Sequence, residues 1–171
     1  MIAAARLVSL QDRLIKGGEW PKGKYMGIEL FGKTLGIIGF GRIGQRVAEL
    51  AGAIGMRVIA YDVVDIGGDR ASKLGVDTVG FEELLKRSDF IAIHVSLTPS
   101  ARHLIGEREL QLMKDGGVVI VNASRGEVID TKALLKAIND GKVAAAALDV
   151  LENEPPKEPW EIELVMHRGS L

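Results

Sequence analysis

The chain alternates between short apolar runs and longer stretches in which apolar residues recur at helical spacing. The apolar runs predict six β-strands, at residues 34–38, 57–61, 76–79, 89–95, 117–122 and 143–148. The stretches between them predict helices, one beginning at Arg42 and others at 69–74, 81–87, 107–113 and 131–139. Strands that alternate with helices at this spacing predict an α/β fold. We therefore expect a doubly wound parallel sheet with helices on both faces and right-handed crossovers.

A different pattern precedes the first strand. Residues 3–16 predict an amphipathic helix with Ala3, Leu7, Leu10 and Leu14 on one stripe, ended by two glycines. Residues 18–33 are rich in glycine and carry three aromatic residues with little periodicity. This stretch is either a surface loop or an arm that packs on a partner subunit, because exposed aromatic side chains are costly to leave in water.

A glycine motif joins the first strand to the helix that follows it. Gly39, Gly41 and Gly44 are spaced as GxGxxG between an apolar strand and a helical pattern. In this setting the glycines serve a sharp turn, a close approach of ligand to backbone, and a contact between strand and helix. The helix N-terminus, at Arg42, suits a pyrophosphate. A lone triplet is often only a tight turn, but the ordered strand, triplet and helix favour a Rossmann dinucleotide site.

The second strand ends in Asp62, about twenty residues beyond the last glycine, as a ribose-binding acid does. A carboxylate there accepts hydrogen bonds from the ribose hydroxyls and repels a 2′-phosphate. The sequence therefore predicts NAD rather than NADP as the cofactor. The alternative is that Asp62 only caps a turn.

Ligands of such sheets lie beyond the carboxyl ends of the strands. That rule selects Asp62, His94–Ser96, Asn122–Arg125 and Asp149 as candidates. Arg125 follows a buried strand among small residues, where its planar guanidinium could bind a carboxylate or ketone oxygen. It could equally be a solvated loop arginine. Residues 149–156 contain three acidic residues and end in two prolines. One of the acids could orient a catalytic base, but by itself the segment is typical of a linker.

The composition narrows the class of protein. The 171 residues suffice for one domain with a core but not for two full domains. A net charge of -1 argues against nucleic acid or an anionic membrane as partner. The absence of cysteine excludes disulfides, thiolate metal sites and cysteine nucleophiles. With no signal peptide or spanning run in the sequence, we expect a cytoplasmic protein.

Together, several motifs resemble the NAD-dependent D-2-hydroxyacid dehydrogenase family, and most of all its D-3-phosphoglycerate dehydrogenase branch. They are GKTLGIIGFGRIG, the acid at Asp62, HVSLTPSARHLI, MKDGGVVIVNASRGEVID and AALDVLENEPP, and they cover nearly the whole chain. The resemblance implies oxidation of D-3-phosphoglycerate to 3-phosphohydroxypyruvate, the entry to serine biosynthesis. In the family a coenzyme domain is inserted into a substrate domain, and the active site lies in the cleft between them.

The matching motifs imply roles for individual residues. Arg42 and Ile43 would offer the pyrophosphate their backbone, and Asp62 would bind the ribose. Val95 and Ser96 would line the adenosine and pyrophosphate side, although Ser96 stands where the family usually has proline. Arg125 matches the substrate-binding arginine and Glu154 the catalytic glutamate. The nicotinamide would face Ala123, Ser124 and Arg125, with Asp149 on its carboxamide. His94 and His103 lie in family motifs but outside its catalytic role.

The family's histidine base is the main departure. It follows a proline about eighteen residues after the glutamate, whereas this sequence stops at Leu171 and Met166 precedes His167. We expect His167 to belong to the preceding segment. We also expect the substrate domain to be missing at both ends and the fragment itself to be inactive. The predicted division is a helix remnant and dimer arm at 1–33, an NAD-binding Rossmann domain at 34–150, and a truncated crossover at 151–171.

Two alternatives remain open at this point. Another D-2-hydroxyacid dehydrogenase, acting on glyoxylate, hydroxypyruvate or D-lactate, would leave the sequence looking much the same. NAD(H)-sensing corepressors share the scaffold, so the chain could instead be an interaction module. In either case the resemblance implies a homodimer that pairs through Ala3–Lys33.

Overall fold

The computed structural model describes residues 1–167, so the end of the predicted crossover, residues 168–171, lies outside the described part. Six parallel strands form one sheet in the order β3-β2-β1-β4-β5-β6. They are β1 (Thr34–Ile38), β2 (Arg57–Tyr61), β3 (Val76–Thr78), β4 (Phe90–Ile93), β5 (Val118–Asn122) and β6 (Val143–Leu148). The predicted doubly wound parallel sheet is confirmed.

Helices cover both faces of this sheet. They are α1 (Ile2–Ala5), α2 (Val8–Lys16), α3 (Arg42–Ala53), α4 (Gly68–Lys73), α5 (Phe81–Arg87), α6 (Glu107–Leu112), α7 (Thr131–Asn139) and α8 (Pro159–Met166). A short 3₁₀ turn, which the sequence pattern did not predict, follows β5 at Gly126–Val128.

Two apolar clusters fill the space between sheet and helices. One contains buried leucines of α5, α6, α7 and α8, and the other contains buried alanines of α1, α3 and α4. Alternate residues of β4 belong to different clusters: Ile91 and Ile93 to the first, Phe90 and Ala92 to the second. Successive side chains of a strand point to opposite faces, so a strand buried on both sides is apolar at every position.

The predicted helix over residues 3–16 is wrong in one respect. The chain breaks between α1 and α2 at Leu7, whose φ of 53 places it in the left-handed region. Ala3 is exposed, whereas Ala4 and Ala5 are buried in the core. The break at Leu7 interrupts the helical repeat, so a single stripe of 3.6-residue period does not describe both helices.

Helix α8 was not predicted, because the prolines before it were interpreted as a linker. Pro159 stands in its first turn, where a missing N–H costs nothing. His167 ends the helix, in agreement with the expectation that it belongs to the preceding segment. Leu164 of this helix is buried in the first apolar cluster. Within residues 1–167, no helix is long and apolar enough to cross a membrane.

Candidate functional site: a nucleotide cleft at the carboxyl edge

The glycine motif forms a tight turn between β1 and α3. Gly39 has a φ of 92, which favours glycine, and a Cβ there would lie 2.6 Å from the His94 carbonyl oxygen. A Cβ at Gly44 would lie 2.2 Å from the carbonyl oxygen of Gly39. Gly41 differs, because a Cβ there would meet nothing within 4 Å. Two glycines are thus required by packing, and the third faces open space where a ligand can approach the backbone.

Helix α3 begins directly at this turn. Gly41 is its N-cap residue, and no side chain caps the helix. The backbone N–H groups of Arg42 and Ile43 stand in the first turn, at the positive end of the helix dipole. Gln45 holds the turn from the side by donating from Nε2 to the Phe40 carbonyl oxygen at 2.8 Å. This is the geometry in which a helix binds a phosphate group.

Asp62 lies at the end of β2, beside the glycine turn. Its Oδ2 accepts a hydrogen bond from the Phe40 N–H at 2.7 Å, and its Oδ1 accepts one from the Val64 N–H at 3.2 Å. Each carboxylate oxygen can accept a further bond. The side chain is half-buried, so it is held in place and still reaches the solvent. It can therefore bind a pair of hydroxyl groups in front of the turn.

A cleft of about 290 Å³ opens between the ends of β1, β2 and β4. We call it the cofactor cleft. Five of the predicted cofactor residues line it, namely Gly39, Gly41, Asp62, Val95 and Ser96. Thr98, Ser100, Ala101 and Leu104 close its other side. The structure therefore brings the glycine turn and Asp62 together with residues 94–104, which lie far from them in the sequence.

His94 also lines the cofactor cleft, at the carboxyl end of β4. Its Nε2 is buried and has no hydrogen-bond partner among the described residues. Burial lowers the pKa of His94, because the charged imidazolium would lose its hydration. His94 therefore adds no positive charge to the cleft at neutral pH.

The second group of predicted residues surrounds the end of β5, in a loop that we call the Asn122 loop (Asn122–Gly126). Ala123 and Arg125 are exposed here and Ser124 is half-buried. The Asn122 side chain is buried, with 1% exposure, and shapes the loop from inside. Its Oδ1 accepts bonds from the Ser124 N–H at 3.0 Å and the Ser124 hydroxyl at 2.8 Å. Its Nδ2 donates to the Arg125 carbonyl oxygen at 2.9 Å.

The segment after β6, Asp149–Glu154, lies against this loop, and we call it the acidic segment. Asp149 donates its N–H to the Asn122 carbonyl oxygen at 3.0 Å. Gly126 touches the same segment so closely that a Cβ would lie 1.9 Å from the Leu151 carbonyl oxygen. Glu154 is exposed, and its Oε1 accepts the Leu151 N–H at 2.9 Å. Arg125 is also exposed, with Nη1 donating to the Ser124 carbonyl oxygen at 2.7 Å.

Three further residues shape the site, and the sequence did not single them out for this purpose. Asn122 was only one member of a candidate loop, and Glu152 was one of several acids. Glu161 on α8 is buried, with 3% exposure, and accepts bonds from the Asn153 side chain and the N–H groups of Lys157 and Glu158. An asparagine two residues before a serine is a local signal for such a turn. The partners of Glu152 and Glu161 carry no comparable signal.

No group of histidine and acidic residues within residues 1–167 is arranged to hold a metal ion. The carboxyl edge of the sheet carries a glycine turn, a helix N-terminus, two short loops and several carboxylates. A glycine turn, a helix N-terminus and a strand-end acid on a parallel sheet define a dinucleotide-binding domain.

Comparison with known proteins assigns the family. Residues 1–168 match the family model described as D-isomer specific 2-hydroxyacid dehydrogenase, NAD binding domain. The chain belongs to this family. Its cofactor is NAD, as predicted, and the open side of Gly41, the first turn of α3 and the carboxylate of Asp62 fit that cofactor.

Individual relatives differ in the reaction their names state. The chain is 51% identical over 159 residues to a D-3-phosphoglycerate dehydrogenase of Methanocaldococcus jannaschii, with 92% of this chain and 30% of that protein covered. It is 49% identical over 158 residues to a hydroxypyruvate reductase of Thermotoga maritima, with 92% and 50% covered. A crystal structure of a glyoxylate reductase from Paecilomyes thermophila superposes with a TM-score of 0.90 at 43% identity, with 100% and 50% covered. The chain thus spans half or less of the length of these relatives.

Proposed function

We propose that this chain is the coenzyme half of an enzyme that oxidises D-3-phosphoglycerate to 3-phosphohydroxypyruvate. In that reaction the hydroxyl loses a proton to a base, and the hydrogen on the same carbon leaves as hydride. NAD supplies the hydride acceptor when it is bound. The residues of this chain bind the cofactor, orient the substrate and hold the proton-accepting machinery in place.

The proposed cofactor roles begin at the glycine turn and extend to the Asn122 loop. The backbone of Arg42 and Ile43 binds the pyrophosphate at the start of α3, and Asp62 accepts the ribose hydroxyls. Val95 and Ser96 form the opposite wall. On the other side of the edge, Ala123, Ser124 and Arg125 face the nicotinamide, and Asp149 binds its carboxamide. Asp149 is exposed at the end of β6, and its backbone is tied to Asn122.

The substrate roles fall on Arg125 and Glu154. The Arg125 guanidinium keeps most of its N–H groups available and can bind a 2-hydroxy carboxylate with two parallel hydrogen bonds. The family resemblance implies a histidine base in the whole enzyme. Glu154 raises the proton affinity of that histidine by placing a negative charge beside it. Glu161 holds the chain on both sides of Glu154, because it accepts hydrogen bonds from the Asn153 side chain and from the Lys157 N–H.

The observation that carries this proposal is the location of both residue groups at one edge of the sheet. An experiment that separates the substrates is calorimetric titration of NADH-loaded protein with D-3-phosphoglycerate, glycolate and D-lactate. We expect D-3-phosphoglycerate to bind most tightly, and its binding to be lost in Arg125→Ala. The matched control is Arg57→Ala, which removes an exposed arginine at the start of β2, on the opposite edge. Equal loss in both variants would contradict the role of Arg125.

Reduction of glyoxylate or hydroxypyruvate is the second candidate. It is favoured by the similar identities to relatives that carry those names. All these substrates share the 2-oxo or 2-hydroxy carboxylate that Arg125 would bind, so Arg125 alone does not distinguish them. The preference for D-3-phosphoglycerate is supported by the 51% identity to a dehydrogenase of that name. Tighter binding of glycolate than of D-3-phosphoglycerate in the same titration would favour this candidate.

We further propose that the chain forms a homodimer through residues 3–33. The exposed apolar side chains of α1, α2 and the following arm support this pairing, namely Ile2, Val8, Ile15, Trp20, Met26 and Phe31. Apolar surface of this extent is characteristic of a protein interface. Sedimentation equilibrium should show a dimer that dissociates in Trp20→Ser. A monomer at high protein concentration would contradict the proposal.

A further inference from the structure

We propose that Glu152 is a positioning residue that ties the acidic segment to the loop closing the cofactor cleft. The inference rests on the proposed function, because it concerns how Asp149 and Glu154 are held relative to the bound cofactor. The structure gives Glu152 three side-chain partners from two other parts of the chain. None of them lies in its own segment.

The Glu152 carboxylate is held by contacts on both of its oxygens. Its side chain is 17% exposed although it stands in a loop. Its Oε1 accepts from Arg102 Nη2 at 3.1 Å and contacts His103 Nε2 at 2.7 Å. Its Oε2 accepts a longer bond from the Thr131 hydroxyl at 3.4 Å, at the start of α7. A half-enclosed carboxylate with partners on both oxygens has few alternative positions.

Two partners of Glu152 lie in residues 98–104, which close one side of the cofactor cleft and which we call the cleft loop. Arg102 and His103 fall between Ala101 and Leu104, both of which line the cofactor cleft. His103 has a φ of 49, which is unusual for a residue other than glycine. Its N–H donates to the Glu127 carbonyl oxygen at 2.8 Å. The cleft loop is therefore attached to the 3₁₀ turn through its backbone and to Glu152 through its side chains.

The residues on either side of Glu152 are also held in place. The Leu151 backbone packs so closely against Gly126 that no side chain would fit at residue 126. The Leu151 N–H is bonded to Glu154, so the backbone of the acidic segment and the Glu154 carboxylate move together. A displacement of Glu152 consequently changes the position of the carboxylate to which we assign the catalytic role. Binding a cofactor against the cleft loop should restrain the acidic segment through the same contacts.

The test is hydrogen exchange measured by mass spectrometry on the whole protein, with and without NADH. The variants are Glu152→Ala, Glu152→Gln and Arg102→Ala, and the control is Glu163→Ala, an exposed glutamate on α8. Without ligand, we expect Glu152→Ala to speed exchange in two separate peptides, 98–104 and 149–154, while the control changes neither. Arg102→Ala should speed exchange in 149–154, although it lies some fifty residues away in sequence.

With NADH, the unsubstituted protein should exchange more slowly in peptide 149–154, and Glu152→Ala should lose that added protection. By linkage the same variant should bind NADH roughly tenfold more weakly. Glu152→Gln keeps an acceptor oxygen and should recover part of both effects. An unchanged melting temperature would show that the effect is local rather than a general loss of stability.

The inference is overturned if Glu152→Ala exchanges like the control in both peptides, or if NADH protects 149–154 equally in both proteins. Failure of the normal protein to bind NADH would contradict the proposed function instead. In that event the comparison without ligand still supports or overturns the role of Glu152.

Discussion

The two sides of the carboxyl edge are built in different ways. The cofactor cleft is built around consecutive elements, β1, the glycine turn, α3 and β2, and the end of β4 with the loop after it forms its other wall. The Asn122 loop and the acidic segment are instead held by polar side chains. Asn122 bonds within its own loop, Glu161 bonds from α8, and Glu152 bonds to Arg102, fifty residues away in sequence. Steric limits at Gly39 and Gly44 dominate the first construction, whereas the second combines one close glycine contact, at Gly126, with several side-chain hydrogen bonds. Substitutions should therefore disturb the two sides by different mechanisms and by different amounts.

The largest effect is expected at Gly44. Its Cβ would overlap a backbone oxygen that cannot move without opening the turn, so Gly44→Ala should destabilise the fold by about 3 kcal/mol, near the upper end for overpacking. Urea unfolding measures this. Gly52 in the same helix has open space around a Cβ, so Gly52→Ala should stabilise the protein by up to about 1 kcal/mol. Similar values for the two variants would show that the turn relaxes freely.

On the other side, Asn122→Ala should cost about 2 kcal/mol, because it leaves buried loop groups without their hydrogen-bond partners. The same unfolding experiment applies, with Asn139→Ala, at the exposed end of α7, as the control. NADH binding should retain its dependence on Asp62 in this variant, because the cofactor cleft is built separately. Loss of both sites together would contradict the division into two constructions.

The smallest effect is expected from Glu161 and depends on pH. N–H groups of Glu158 and Lys157 and the Asn153 amide hold the pKa of Glu161 below its usual value of 4.5. A depressed pKa stabilises the fold above that value, and the contribution disappears as the pH falls through the folded-state pKa. The stability gap between the normal protein and Glu161→Gln should therefore narrow in acid. Thermal unfolding measures it, and Glu163→Gln should show no such trend.

The difference between the two sides also explains what could be predicted from the sequence. The strand, glycine, helix and acid pattern lies within one βαβ unit, so its geometry follows from the order of residues. That pattern was enough to predict the cofactor and the cleft residues Gly39, Gly41 and Asp62, while the alternation of strands and helices along the whole chain predicted the sheet. The tie between Glu152 and Arg102 joins residues that no local pattern connects.

Two elements were not predicted correctly, and in both cases the structure depends on features that no local pattern reveals. Leu7 adopts a left-handed conformation that its residue type does not suggest, and this breaks the first helix. Helix α8 follows several prolines, which suggest a linker. Its position is decided by the burial of Leu164 and by contacts with α7, and neither produces a periodic pattern in the sequence. Propensity is a weak guide wherever tertiary contacts decide the outcome.

The most direct test of the nucleotide site is calorimetric titration of the protein with NADH and NADPH, repeated with Asp62→Ala. The control is Asp115→Ala, which removes an exposed acid in the turn before β5, at the opposite edge of the sheet. We predict saturable NADH binding that is weakened by Asp62→Ala alone, and poorer binding of NADPH because the carboxylate repels its 2′-phosphate. Equal binding of both nucleotides, unaffected by the loss of Asp62, would contradict the assignment of this cleft.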